Sequence, residues 1–345
     1  MNVSWSGNQN PGVKKHGKHW SEYGIGNPER KQEESAMGYK LDYETFRQEV
    51  KKLVEEGLQE KGDYSCSWQP VHKNNVTKTG LRISEAGSRV AVMAYLELPY
   101  QDYLKGQPLS QISREIVGLS AERGFPDIST TQFNDYGEMK GKLRVHLVGR
   151  EHNKAYLEEG PYKVHPMGAQ ILYAELENTG EGRMGFHVTH EYLSVWDISE
   201  QEAFDAALEN SQRKEPVWFR SLTGGIDSIL DGKDPGEGPV HKEELYILSN
   251  ASRDHGAAVL LYPGAPEEIH RKMEGDYYIL PSSVHEVLVL SKEADITPAV
   301  LRDMVVEVNQ GLVPLEERLG DEIYEFQGRT GTLQKCKIPE REMTR

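Results

Sequence analysis

The chain has 345 residues, 37% hydrophobic and 28% charged, with a formal net charge of −15 from 55 acidic against 40 basic residues. That size and mixture suit one large or two smaller folded domains and exclude a wholly disordered chain, while the negative field opposes non-specific attraction to phosphate backbones and anionic lipid. The two cysteines, Cys66 and Cys336, exclude a disulfide framework or a zinc site of paired thiolates, and no run approaches the roughly 20 apolar residues of a membrane helix, so a soluble cytoplasmic protein is expected.

Residues 1–38 are rich in Gly, Asn, Ser, Lys and Glu and lack helical or strand periodicity. A disordered tail is expected there, with Met37 as an alternative start. Two α+β subdomains should follow, 39–159 and 160–338, divided at Gly160-Pro161. Asp42 opens a helix whose apolar stripe is Tyr43, Phe46, Val50, Leu53, Val54 and Leu58. Strands are expected over Tyr64–Val71, Leu81–Ser84 and Val90–Leu96, separated by turn residues. Ser110 should cap a helix with Ile112, Ile116 and Val117 inward. Lys142–Val148 reads as a strand and Asn153–Leu157 as a short helix.

Ala169–Leu176 and Met184–Leu193 read as paired strands. Ser199 with Glu202 has the spacing of a capping box at the head of a helix that buries Ala203, Phe204 and Ala207. Residues 231–241 should be a loop. Strands are then expected over Leu245–Leu248, Ala257–Tyr262, Tyr277–Leu280 and His285–Leu290, with a helix over Pro266–Met273. Thr297 caps a helix with Pro298 at its first position and Val300, Leu301, Met304, Val305 and Val308 inward. A hairpin over Glu322–Phe326 and Thr332–Lys337 closes the chain. Hairpin-connected strands interspersed with helices define an α+β fold of antiparallel or mixed sheets with packed helices, in one large or two small subdomains.

Four motifs invite a chemical reading. Thr223-Gly224-Gly225-Ile226-Asp227-Ser228 resembles the SGGxDS pyrophosphate loop of ATP pyrophosphatases, in which backbone amides cradle phosphate; carried over, Gly224, Gly225, Asp227 and Ser228 would line a nucleotide. Its context opposes this, because Arg220 and Ser221 stand where a buried parallel strand needs apolar residues, and Asp231-Gly232 and Pro235 stop the following helix. His187 and His190 sit three apart beside Glu191, but odd spacing on a strand sends two side chains to opposite faces. The zincin pattern fails at both His-Glu strings, where Ser194 and Val289 occupy the second histidine's place. Ser283 and His285, two apart on an extended strand, stand side by side and do not align for proton transfer.

The runs Leu260-Leu261-Tyr262-Pro263-Gly264 and Asp276–Leu288, with its string Leu280-Pro281-Ser282-Ser283-Val284-His285-Glu286, resemble a clostridial (Firmicutes) family of unknown function, the domain of unknown function 5688 family. Tyr43-Glu44-Thr45-Phe46, Gln69–Asn75 and Leu193–Trp196 carry the same likeness, which runs from about residue 39 to the C-terminus. The resemblance implies a cytoplasmic accessory protein often borne on mobile elements and implies no activity. It also implies a helix continuing through Phe219–Leu222, against the phosphate loop.

No convergent catalytic set emerges, so the expectation is a non-enzymatic binding or regulatory accessory protein. Its partner would be a protein or small ligand, without cofactor, metal, membrane or nucleic acid. The candidate patch is Tyr262, Ser282, Ser283, His285 and Glu286, where a polar string interrupts apolar strands. The alternatives are a nucleotide-dependent enzyme using Gly224–Ser228, a hydrolase using Ser283 and His285, and an acidic anti-defence factor.

Overall fold

The computed structural model describes residues 4–7, 40–86, 91–121, 133–178, 182–224 and 240–338. Its strands are β1 (Ser4–Gly7), β2 (Tyr64–Lys73), β3 (Val76–Glu85), β4 (Val92–Ala94), β5 (Leu143–Val148), β6 (Tyr162–His165), β7 (Gly168–Asn178), β8 (Gly182–His187), β9 (Val217–Ser221), β10 (Tyr246–Asn250), β11 (Tyr277–Pro281), β12 (Val287–Ser291), β13 (Tyr324–Gln327) and β14 (Thr332–Lys335). They form three sheets, ordered β2-β3-β4, β1-β8-β7-β5 with β6 also on β7, and β14-β13-β11-β12-β10-β9. The fold is mixed α+β, as expected. Of the expected tail, Ser4–Gly7 form a strand and the rest lies outside the described residues. Among the described residues no helix is long and apolar enough to cross a membrane.

Contacts divide the chain into two compact units, one of Met1–Gln69, Thr79–Ile128 and Glu177–Met184, the other of Pro70–Lys78, Ser129–Leu176 and Gly185–Arg345. Gly160-Pro161 lies inside the second. In the first unit, α1 (Tyr43–Gln59) starts at Asp42, whose Oδ1 accepts the Thr45 amide at 2.9 Å. Its buried stripe of Phe46, Val50, Val54 and Leu58 packs with Leu81 and Ile83 of β3. Two further helices, α2 (Glu97–Leu104) and α3 (Leu109–Ala121), complete this core. The rings of Tyr100 and Tyr103 on α2 lie 5.0 and 5.2 Å from Phe46. Ser110 is not the cap: the Pro108 carbonyl already accepts the Ile112 amide, which draws Ser110 into the first turn.

The second unit is built on the six-stranded sheet, whose pairings are antiparallel. Its β10 and β11 are buried along their whole length, which explains why they read as continuous runs without alternation. Short helices α4 (Tyr136–Lys140) and α5 (Lys154–Glu158) flank β5. Three further segments depart from the sequence reading. Residues 190–193 are not strand: β8 ends at His187, and α6 (His190–Trp196) follows, closed by Asp197 in the left-handed region at φ 53°. Trp196 anchors it by donating from Nε1 to the Phe133 carbonyl at 2.6 Å. Residues 257–261 form a 3₁₀ helix, Gly256–Leu261, against β10 and β5. Its Gly256-Ala257-Ala258 start allows a close approach that larger side chains would block. His285 and Glu286 precede β12 in the loop that joins it to β11. The two His-Glu-X-Leu strings therefore fall on a helix and on a loop that runs into β12, and do not form a structural repeat.

Helix α7 (Glu200–Lys214) is capped by Ser199, whose Oγ accepts the Glu202 amide at 3.2 Å. It packs on β5, where Ser211 Oγ accepts the Val145 amide at 3.0 Å. Two further α-helices are α8 (Ala265–Lys272) and α9 (Pro298–Gly311), with Thr297 Oγ1 capping α9. Leu301 and Val305 of α9 are buried as expected, but Val300, Met304 and Val308 are exposed. The inward face includes Asn309, which donates to the Gly320 carbonyl and the Asp321 carboxylate at 2.9 and 2.8 Å. A polar residue tied down by hydrogen bonds thus takes a place that apolar periodicity assigns to the opposite face.

Candidate functional site

Strand β10 ends at Asn250, and that side chain holds the turn that runs on to Asp254. Asn250 Oδ1 accepts the Asp254 amide at 3.2 Å and the Ser252 hydroxyl at 3.0 Å, while Nδ2 donates to the Asp254 carbonyl at 2.8 Å. The turn forces Arg253 and His255 to φ 57° and 50°. Left-handed backbone costs a non-glycine residue roughly 1–2 kcal/mol, so the surrounding contacts must hold it. Gly256 supplies one of them. A Cβ there would lie 2.6 Å from the Asn250 nitrogen and from the His285 carbonyl oxygen, and closer still to Ser249 Oγ.

The loop between β11 and β12 arrives from the other side. It is closed by the Ser283 amide on the Glu286 carbonyl at 3.0 Å, and the Ser283 hydroxyl accepts the His285 amide at 3.1 Å. Ser249 Oγ donates to the His285 carbonyl at 2.7 Å. Val284 pairs with Ala257 on one side and with Glu317 on the other through backbone hydrogen bonds.

These two loops bring Asp254, His255 and His285 together. Oδ1 of Asp254 lies 2.9 Å from Nδ1 of His255 and 3.1 Å from Nδ1 of His285. The His255 amide donates toward the same Nδ1 of His285 at 3.1 Å. On the far edge of that ring, Nε2 stands 4.0 Å from Glu317 Oε1. The His255 ring stacks on His146 of β5 at 3.9 Å and 13°, and His146 stacks in turn on Tyr173 of β7 at 4.6 Å.

Burial opposes charge on Asp254, but His255 and His285 outweigh it and hold the carboxyl below its usual range. His285 is discouraged from protonation by burial, yet the Asp254 hydrogen bond and charge raise it above an ordinary imidazole. Burial pushes Glu286 up. The arrangement offers two imidazoles and a carboxylate to a cation, or a carboxylate-oriented histidine to a proton.

The patch expected from sequence is only partly assembled. Ser283, His285 and Glu286 share one loop with half-buried Ser282. Tyr262 sits at the other end of the 3₁₀ helix, buried, with its hydroxyl donating to the Glu215 carbonyl at 3.2 Å. Ser283 Oγ faces the backbone amide of His285 instead of its ring.

Phe219–Ser221 are strand, not helix, and β9 is the antiparallel edge of its sheet. This accounts for Arg220 and Ser221 and differs from the parallel strand a phosphate loop follows. The Gly224 amide is taken by Ser221 Oγ at 3.1 Å; Gly225, Asp227 and Ser228 lie outside the described residues.

His187 and His190 are not gathered. His187 Nδ1 stands 3.8 Å from Glu159, whereas His190, opening α6 beside Glu191, stands 3.7 Å from Glu200. An open surface depression of about 410 Å³ along the start of α7, lined by Lys140, Glu202, Asp205 and Glu209 among others, is separate from the Asp254 cluster.

Sequence reasoning singled out His285 but missed Asp254, His255, His146 and Glu317. The one local signal was Asp254-His255-Gly256, a polar pair and a glycine a few residues after an apolar strand.

The fold and this cluster define a mixed α+β protein that carries a carboxylate shared by two histidines beside the end of a buried strand. The model of a family of unknown function, DUF5688, matches residues 43–328, and the chain belongs to that family. No curated protein and no solved structure matches it.

Proposed function

We propose that the protein is a binding or regulatory accessory protein rather than a catalyst, and that its ligand docks on the face carrying Asp254, His255, His285 and Glu286. One observation carries the reading: Asp254 holds two imidazoles in a loop that keeps two non-glycine residues left-handed. Backbone strain of this kind is maintained where a fixed geometry is needed. Nucleophilic catalysis would need a hydroxyl or thiol aimed at a base. The neighbouring hydroxyl, Ser283, is turned to the backbone. Burial pushes the thiols of Cys66 and Cys336 up to about 11 and about 12, which keeps both protonated near neutrality.

A thermal-shift panel of divalent cations, carboxylates, phosphates and nucleotides tests the reading on the wild type and a His285→Gln, Glu286→Gln variant. A ligand at about 100 times its Kd adds about 2.7 kcal/mol of stability, so one class should raise the wild-type Tm and leave the variant unmoved. Chromogenic ester, phosphate and peptide substrates should stay intact. Turnover that the double variant loses, or a panel with no shift for the wild type, overturns the proposal.

A further inference from the structure

We propose that Asp254, His255 and His285 form a site for one divalent transition-metal ion of the zinc type. This deepens the binding reading above and rests on it. Around an ion bound at about 2.0–2.2 Å, neighbouring ligand atoms stand roughly 3–3.5 Å apart. The two nitrogens lie 2.9 and 3.1 Å from the shared carboxylate oxygen, and the three residues offer ligand atoms that all lie within 4.8 Å of one another. Small side-chain adjustments therefore separate this arrangement from a ligand set. Two imidazoles with one carboxylate favour zinc-type ions over magnesium and calcium, which take oxygen donors.

The rings are already held. His255 is fixed by its stack on His146, and the His285 loop by Ser249 and by the Val284 backbone contacts. Asp254 is fixed by Asn250. With Nδ1 accepting the His255 amide, the neutral His285 ring carries its proton on Nε2, the edge that faces Glu317 at 4.0 Å, and it keeps it there with an ion on Nδ1. A carboxylate on the far nitrogen is the usual support of a metal-bound histidine. The three side chains keep 26–31% exposure, so a fourth position is open to water or to a group from a partner.

One further consequence separates an ion from a simple hydrogen-bonded cluster. Nδ1 of His285 has a single lone pair, now directed at the His255 amide. An ion takes that lone pair, and the amide loses its acceptor. Metal binding should therefore be visible at the backbone of His255, not only at the rings.

The test is calorimetric titration of the full chain, stripped with EDTA, using zinc chloride. One ion per chain is expected, with magnesium and calcium giving no comparable heat. His255→Gln and His285→Gln should each weaken zinc at least 100-fold, and His190→Gln should leave it unchanged. Circular dichroism and melting in EDTA check that each variant is folded, and Asp254→Asn serves if a histidine variant is not. Hydrogen exchange at the His255 amide should quicken when zinc is added to the wild type. Absence of stoichiometric binding, or binding kept within a few-fold in both histidine variants, overturns the metal site. If zinc fails while another panel ligand still shifts the wild type and not the His285→Gln, Glu286→Gln variant, the ion is refuted and the binding face stands. If both fail, both readings fall.

Discussion

Gly256→Ala is the sharpest probe of how the two loops are held together. The added Cβ would lie 2.6 Å from the nitrogen of Asn250 and 2.6 Å from the carbonyl oxygen of His285. Both are backbone atoms, one closing a buried strand and the other in the β11–β12 loop, so neither can swing away as a flexible side chain would. Relief requires the loop to retreat by several tenths of an ångström, and overpacking of this kind costs about 1–3 kcal/mol. The same movement stretches the 2.7 Å hydrogen bond from Ser249 Oγ to the His285 carbonyl, for roughly 1 kcal/mol more. The loss of about 2–4 kcal/mol should appear in urea unfolding followed by circular dichroism as a lower midpoint at unchanged slope. Gly311→Ala is the matched control: nothing lies within 4 Å of its Cβ, and a helical alanine gains at most about 1 kcal/mol. A Gly256→Ala protein within about 0.5 kcal/mol of wild type would refute the packing argument.

Three further outcomes are expected. Asn74 donates to the carbonyls of Glu316 and Arg318 at 3.0 and 2.9 Å and accepts from Gly149 and Asn153 at 3.1 and 2.7 Å. Asn74→Ala should therefore cost about 2–4 kcal/mol in the same urea assay, and a loss within experimental error would show these contacts to be replaceable by water. Burial pushes His165 down to about 4, so the folded chain favours its neutral ring. Its stabilising effect is complete above the ordinary imidazole value and is lost as pH falls from about 6.5 through about 4. Over that window the wild type should lose about 3 kcal/mol more than His165→Gln, and parallel stability-versus-pH curves would contradict this. Cys66 and Cys336, both pushed up by burial, should react with a disulfide reagent at pH 8 at least about tenfold more slowly in the native chain than in urea.

What sequence could reveal followed local rules. The Asp42, Ser199 and Thr297 caps, the α1 stripe and the runs of β10 and β11 each depend on residues a few positions apart, and each appears in the fold. The family, too, was legible in the string around Leu280–Glu286. The misreadings share a different cause. Helix α9 carries apolar residues on two faces, and the buried one is the face of Leu301 and Val305, which pack in the core, and of Asn309, tied down by hydrogen bonds. Residues 257–261 are apolar enough for a strand, but β10 and β5 press a tight helical turn into the space that Gly256 leaves. The His190 segment has the polarity of either an edge strand or a surface helix. The Asp254–His255–His285 cluster joins residues some thirty positions apart through a turn and a hairpin loop, and no spacing rule reaches that far.

Diffraction reads out directly whether the Asp254, His255 and His285 side chains hold a cation. Crystals of the full chain grown with one equivalent of zinc, measured on both sides of the zinc absorption edge, should show a single strong anomalous peak. It should lie within about 2.3 Å of Asp254 Oδ1 and of Nδ1 of both His255 and His285. A map with no peak among these three atoms, or with peaks only at other surface groups, would rule out the metal site.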